Sequence, residues 1–313
     1  MALHHHGHGH GHGHGHHHVD LESGDRRVAG AIAVNLALTL AQIVGGLVSG
    51  SLALIADALH NLSDAMSLII AFAARKIARR PADAEMTFGY GRAEVVAALV
   101  NYTTLILIGL YLGYEAIARL FAPEPVAGWI MVWIAGLALV VDLVTAALTY
   151  SMSKDSVNIR AAFLHNLADA LGSVAVIVAG VAVLVFGWAW VDPVVTLGIA
   201  GYILWMSLAQ IGGVIRILML GAPPDLDTRA VLGHLREVEG VASVHHVHLW
   251  QMQENEPALD AHVAVHEGRW SEADAIKSRI KRSLSERFGI GHVTLEMECA
   301  AHACQGAEAI GHG

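Results

Sequence analysis

The sequence predicts an all-α membrane protein: six transmembrane helices in an inverted three-helix repeat, followed by a small α+β domain of ferredoxin-like αββαβ order. Three observations carry this. Six apolar runs each reach about the twenty residues that a bilayer crossing needs. A seven-residue segment recurs in two of them, and hydropathy falls after Pro223 and Pro224. Of 313 residues, 55% are hydrophobic and only 15% charged, against roughly a quarter charged in soluble domains. The formal net charge of −9 argues against nucleic acid as a partner. With only two cysteines, Cys299 and Cys304, a disulfide scaffold is excluded.

The runs follow in order. Residues 28–50 carry no charge, and residues 52–74 are apolar apart from a few polar groups that include Asp57, His60, Asn61 and Asp64. Residues 95–114 are uncharged, and residues 126–150 contain only Asp142. Residues 157–185 open polar and become a run of Val, Ala and Ile, and residues 193–215 are again uncharged. Helices suit these runs because a helix satisfies its own backbone in hydrocarbon. Arg75, Lys76, Arg79, Arg80 and Arg92 lie between helices two and three, Lys154 and Arg160 near the start of helix five, and Arg216 after helix six. Arg119 alone lies on the other side, so both termini are expected in the cytoplasm. The histidine-rich start lacks the pattern of a cleavable signal. Beyond the helices, residues 226–238 read as a helix, 241–252 and 259–265 as strands, 272–287 as a helix and 292–297 as a strand. The expected divisions are a His-rich tail at 1–27, a membrane domain at 28–220, the α+β domain at 221–300 and a C-terminal tail at 301–313.

Leu59-His60-Asn61-Leu62-Ser63-Asp64-Ala65 recurs as Leu164-His165-Asn166-Leu167-Ala168-Asp169-Ala170, identical at six of seven positions. The copies lie on helices two and five, which run in opposite directions, as in inverted repeats whose binding site lies near the midplane. His and Asp four apart share one helix face. Both pairs sit roughly 14 to 20 Å along their helices. Two facing helices then offer two imidazole nitrogens and two carboxylate oxygens, a set suited to tetrahedral Zn²⁺. Two carboxylates neutralise one divalent cation, and emptying the site strands two anions in a low-dielectric setting unless protons replace the metal. Metal and H⁺ therefore compete for one site, the minimum that an antiporter needs. Asp57, three residues before His60, reads as a supporting or proton-carrying group, and the lone intramembrane carboxylate Asp142 is a weaker candidate for the path. Asn35, Gln42, Asn61 and Asn166 read first as interhelical hydrogen-bond partners and second as members of that path.

The run from Ser49 through His60, then Asp64, the Phe88-Gly89-Tyr90-Gly91-Arg92 motif, His165 and Asp169 resemble the cation diffusion facilitators, in their zinc-exporting branch. The resemblance implies a homodimer that uses protons to export Zn²⁺ from the cytoplasm, seated in a bacterial inner membrane. It implies His60, Asp64, His165 and Asp169 as transport ligands, with His at position 60 matching the zinc-preferring pattern. It also matches His245, His262 and Glu298 to a cytoplasmic zinc site, with Cys299, His302 and Cys304 as additions. Two departures stand out: Gln42 replaces a frequent Glu, and Met86 and Tyr90 stand where some relatives place metal-binding histidines. No zinc site is expected in that loop, despite Asp83 and Glu85.

In the strand at 241–252, simple alternation puts His246 and His248 on one face and His245 on the other. His234, His266, His292 and His312 read as surface histidines. Ten of the 21 histidines fall within the first 18 residues, interspersed with Gly, which reads as a flexible cation-gathering tail rather than a purification tag. Neither a His-Glu-x-x-His helix nor clustered histidine boxes occur, so an intramembrane metalloenzyme is not expected. A static membrane metal sensor or structural metal protein remains the alternative. Co²⁺, Cd²⁺ and Ni²⁺ also accept such ligands.

Overall fold

The computed structural model describes residues 36–150, 157–304 and 306–311. The histidine-rich tail, Asn35, Lys154 and His312 lie outside the described residues. The membrane part holds α1 (Leu36–Ser49), α2 (Leu52–Ala78), α3 (Ala93–Phe121), α4 (Gly128–Tyr150), α5 (Val157–Phe186) and α6 (Val191–Leu218). Five of these, α2 to α6, are long and apolar enough to cross a bilayer. Several run past the apolar stretches that predict them. Helix α3, for example, continues to Phe121 because nothing from Glu115 to Leu120 breaks a helix, and Arg119 reaches Glu115 one turn back at 3.3 Å. Outward-facing residues such as Leu107, Tyr114, Trp133 and Trp205 are exposed apolar groups, the surface expected of helices solvated by lipid.

Packing divides the bundle. Helix α4 lies along α5 and α3 along α6, while α2 meets α3 and α6 closely and α5 only sparsely. Because α2 and α5 run antiparallel, the seam between them brings the two copies of the repeat face to face.

The second part contains α7 (Thr228–Glu237), β1 (Val241–Gln253), β2 (Glu256–Val265), a short 3₁₀ turn, α8 (Ala273–Phe288) and β3 (His292–Cys299), the predicted αββαβ order. Asp227 starts α7 by accepting from the Arg229 amide at 2.9 Å, and Gly289, at φ 67°, ends α8. The sheet order is β1-β2-β3, with β1 antiparallel and β3 parallel to the central β2. Leu235, Leu259, Ile276, Ile280, Leu284 and Ile290 form its fully buried core. The two parts meet where the Arg92 Nε donates to the Met252 carbonyl (2.9 Å) and the Gln251 amide to the Gly221 carbonyl (3.2 Å). We call this the near end of the bundle, and the α1–α2 turn the far end.

Leu284→Ala should destabilise the α+β domain by about 2–5 kcal/mol, the usual cost of emptying a packed core site. The readout is faster hydrogen exchange at the Leu259 and Val263 amides of the full-length protein. Unchanged exchange there would mean that this cluster does not hold the domain together.

Candidate metal centres

His60 and Asp64 project from α2 across the seam to His165 and Asp169 on α5. His60 Nε2 lies 3.7 Å from Asp64 Oδ2 and 3.4 Å from Asp169 Oδ1. His165 Nε2 lies 3.0 Å from Asp64 Oδ2 and 3.5 Å from Asp169 Oδ2. A tetrahedron with metal–ligand bonds of 2.0–2.2 Å has edges of about 3.3–3.6 Å; one donor atom each from His60, Asp64 and Asp169 lies within 4.8 Å of the others, and His165 stands outside that group, 3.0 Å from Asp64 Oδ2. Both ring nitrogens of His60, Oδ2 of Asp64 and Oδ1 of Asp169 are buried without a hydrogen-bond partner among the described residues. Buried polar atoms rarely stay unpaired, and His60, Asp64 and Asp169 each bring one donor atom to the same place.

The four side chains are unequally covered. His60 and Asp169, toward the far end, are 7% and 10% exposed, whereas Asp64 and His165, toward the near end, are 27% and 38% exposed. The cluster is open toward the α+β domain and closed on the other side. Behind it, the buried Asp57 carboxylate accepts from Gln42 Nε2 at 2.6 Å, and Gln42 Oε1 accepts from Asn61 Nδ2 at 3.2 Å. Gln42 is thus tied to the neighbour of a candidate ligand. Asp142 accepts from Ser173 at 3.1 Å, and Asn166 is half-buried and outside this network. Two neighbours escape sequence reasoning. Tyr202 of α6 sets its ring 6.1 Å from that of His60, and Ser67 bonds Asn101 across α2 and α3 at 2.7 Å. A lone tyrosine and a lone asparagine in apolar helices were the only signals.

A second cluster lies in the α+β domain. His245 and His262 are paired across β1 and β2. Glu298 links them, with Oε2 3.3 Å from His245 Nε2 and Oε1 2.7 Å from His262 Nδ1. Cys304 Sγ stands 3.6 Å from Glu298 Oε1. Donor atoms from His245, His262, Glu298 and Cys304 all lie within 4.8 Å of one another, and the buried His245 Nε2 has no hydrogen-bond partner among the described residues. This donor set, two imidazoles, a carboxylate and a thiol, fits Zn²⁺ or another borderline metal. Cys299 and His302 are not drawn in. Cys299 follows Glu298 on β3 and so faces the opposite side of the sheet, and His302 is exposed.

The alternation expected of His245, His246 and His248 fails. The β1–β2 register shifts between His245 and His248, and His246 takes φ 49°. This bulge turns the His246 ring to within 5.2 Å of His245 and 5.0 Å of His262. Its Nδ1 lies 3.0 Å from the Gly311 carbonyl. In the loop after α2, Asp83 accepts from the Tyr90 hydroxyl (2.7 Å) and from the amides of Met86 (2.8 Å) and Glu85 (2.9 Å). These bonds hold its carboxyl below the usual carboxylate range.

Electrostatics at the second cluster favour an acidic Glu298 and a protonated thiol. Burial raises the Glu298 carboxyl, but the His262 bond, the Cys304 amide and the nearby His245 outweigh it and hold it low. Desolvation, then the Glu298 charge, pushes the Cys304 thiol up. A metal there would displace that thiol proton.

The model of the cation efflux transmembrane domain matches residues 28–219, and that of the cation efflux protein cytoplasmic domain matches residues 223–300. The chain is 38% identical over 264 residues to a cadmium, cobalt and zinc/H(+)-K(+) antiporter of Bacillus velezensis, covering 83% of this chain and 84% of that one. It is 34% identical over 288 residues to the metal cation efflux system protein CzcD of Cupriavidus metallidurans, covering 92% and 90%. It is 35% identical over 279 residues to the zinc transporter ZitB of Escherichia coli, covering 88% of each. A solved structure, the metal-bound C-terminal domain of the CzcD transporter from that Cupriavidus species, aligns with 23% of this chain and 99% of its own, at 26% identity and a TM-score of 0.22.

If Cys304 is a ligand, Cys304→Ser should weaken zinc binding at the second cluster about 10-fold or more and remove one released proton. Because the thiol is held protonated at neutral pH, affinity with Cys304 present should rise as pH rises from about 6 to 8. Calorimetric titration of His60→Ala protein, in which the bundle cluster is disabled, reads both. A flat affinity across that range would remove Cys304 from the ligand set.

Proposed function

This chain belongs to the cation efflux family, the cation diffusion facilitators, and from that premise we propose that it exchanges cytoplasmic Zn²⁺ for protons. Its activity is transport and not catalysis. The ion is carried between α2 and α5 by His60, Asp64, His165 and Asp169. The observation that carries this reading is the meeting of His60, Asp64 and Asp169 across the seam, with one donor atom from each within 4.8 Å of the others and His165 Nε2 3.0 Å from Asp64 Oδ2. The relatives' names supply the ions: zinc, cadmium and cobalt as cargo, and H⁺ together with K⁺ on the other side of the exchange in the Bacillus relative. Cd²⁺, Co²⁺ and Ni²⁺ are plausible secondary cargoes by ligand chemistry, since nitrogen and oxygen donors accept all three.

The coupling follows from charge. With Zn²⁺ bound between two carboxylates and two neutral imidazoles, the loaded cluster has no formal charge. Once the ion leaves, two anions remain in a medium that tolerates them poorly. Protons arriving from the far side restore neutrality and block the return of the metal. The unequal exposure of the four ligands corresponds to the state that receives cytoplasmic metal, because the open side faces the α+β domain. Arg75, Lys76, Arg79, Arg80 and Arg92 gather at that same end, the placement that marks a cytoplasmic face. The full assembly is proposed as a homodimer in a bacterial inner membrane with both termini cytoplasmic. In the α+β domain, His245, His262, Glu298 and Cys304 would hold a resident zinc. His246 stands beside that group and helps to fasten the chain end through Gly311.

Flux into proteoliposomes separates this reading from a static metal sensor. The unaltered protein should move Zn²⁺ into vesicles whose interior is the more acidic side, as protons leave in exchange. Asp169→Ala should fall below about one hundredth of that rate, since loss of a direct ligand exceeds the 10- to 100-fold effect of losing a supporting group. Zinc affinity of the bundle cluster should fall as pH falls from about 7.5 to 5.5, as protons compete for the same atoms. Equal binding across that range, or undiminished flux in Asp169→Ala, would sink the proposal.

A further inference from the structure

The far end of α2 is gripped by three other parts of the bundle, none of them used in the transport reading above. Asp192, in the first turn of α6, is fully buried. Its Oδ1 accepts from the Ser51 hydroxyl (2.5 Å) and the Ala53 amide (3.2 Å), and its Oδ2 from the Leu52 amide (2.9 Å). Ser51 Oγ in turn accepts from the Leu54 amide at 3.1 Å. The start of a helix leaves four amides unpaired. Here three of them are met by two side chains, one belonging to a different helix. Gly50, at φ 72°, has no room for a side chain, because a Cβ would lie 2.8 Å from the Pro125 carbonyl oxygen. The Gly50 carbonyl accepts from Arg119 Nη1 at 2.5 Å, and Arg119 is itself held by Glu115 (3.3 Å) and Glu124 (3.1 Å). The Ala127 amide donates to the Ser49 carbonyl at 2.8 Å.

Such a joint is hard to open. A carboxylate with no exposure loses charge-assisted bonds when displaced and finds no water to replace them. Among the described residues, the near half of α2 has no comparable fastening. There it meets α3 through the Ser67–Asn101 bond and a loose, exposed Arg75–Glu94 pair at 3.8 Å. Across the seam, α5 lies along α4 and touches α2 sparsely, its buried contact being at the far end, where Ala53 and Leu54 share a cluster with Met131, Ala135, Val176 and Ala179. The far end of α2 is therefore fastened by more buried bonds than the near half.

We propose that Asp192 is a positioning residue for transport: it holds the far end of α2 on α6 as a corner that stays closed in both access states, while α4 and α5 move against α2. This rests on the reading that α2 and α5 share the transported ion. Asp192 touches none of the four ligands, since His60 lies about 12 Å further along the helix axis from Leu52, and it acts through the placement of α2. A fixed corner of this kind is how hinge motions keep one contact while opening another.

The test joins flux, binding and hydrogen exchange on the full-length protein. In proteoliposomes, Asp192→Asn should lower zinc turnover about tenfold or more, while KM and equilibrium zinc affinity stay within about threefold, because the swing and not the ligand set is disturbed. Ser51→Ala should lose turnover in the same direction, and Ser51→Thr, which keeps the hydroxyl, should retain it. In the unaltered protein the Leu52, Ala53 and Leu54 amides should exchange equally slowly when zinc-loaded at about pH 7.5 and zinc-free at about pH 5.5. Turnover of Asp192→Asn and Ser51→Ala close to that of the unaltered protein would overturn the proposal. So would exchange at those amides that quickens more than about tenfold in one of the two states. If Asp192→Asn fails to fold, the Ser51 pair and the exchange measurement decide. Failure of the underlying site reading shows separately, as zinc flux that survives in Asp169→Ala.

Discussion

Two carboxylates facing two imidazoles across a helix seam are the constraint around which this membrane domain is arranged. An ionised group in a low-dielectric interior costs several kcal/mol unless a partner offsets it, and among the described residues Asp64 and Asp169 form no ion pair with a lysine or arginine. Their neighbours are His60 and His165, each of which can hold a proton or donate to a metal. The seam is thin, and that thinness matters. If α2 and α5 interlocked along their full lengths, the cluster would be a sealed core. Because they touch sparsely, occupancy of four side chains can bias how the two helices sit.

The rest of the bundle gives that seam a direction. At the far end, the α1–α2 turn is tied to α6 by buried bonds to the Asp192 carboxylate, to α3 by a part-buried bond from Arg119, and to the α3–α4 loop by a backbone bond from Ala127. At the near end the contacts are weaker and the inner ligand pair is partly open. A helix held firmly at one end and loosely at the other amplifies a small change at its middle into a larger displacement at the loose end. The α+β domain meets the bundle at that loose end, through Arg92 and the carbonyl of Met252.

Much of this is legible in the chain. The repeated Leu-His-Asn-Leu segment shows itself because His and Asp four apart is a local pattern that any helix converts into one face. The length of the apolar runs then sets the number of crossings and the antiparallel sense of helices two and five. The αββαβ order follows from periodicities of two and 3.6. What stays hidden is set by contacts remote in sequence or by single extra residues. The bulge at His246 adds one residue to a strand whose register also shifts after Val241 and after Gln251, and no local signal marks it. Cys304 rather than Cys299 approaches Glu298 because the chain turns back after β3, a path that spacing alone does not specify. Asp192 reads as the end of a loop until the fold brings it onto Ser51, and Gln42 reads as a glue residue until it is found bonded to both Asp57 and Asn61.

The two clusters differ in a way that suits the different tasks proposed for them. A transported ion must leave, so its ligands should bind strongly enough to strip water yet yield to protons. Imidazole and carboxylate do this, since both can take up protons within a few units of neutral pH when their surroundings shift them. The cluster in the α+β domain includes a thiol, which becomes a soft, strongly bonding thiolate once metal displaces its proton. Its carboxylate, Glu298, is already committed to His262 and to the Cys304 amide, so little rearrangement accompanies binding. A site preorganised in this way holds its ion rather than passing it on. Placing thiolate chemistry in the bundle would trap the cargo, and placing a two-His, two-Asp set at the domain surface would lose a resident metal to competing ligands in the cytoplasm. The division of ligand types between seam and sheet therefore follows from the opposite demands of release and retention.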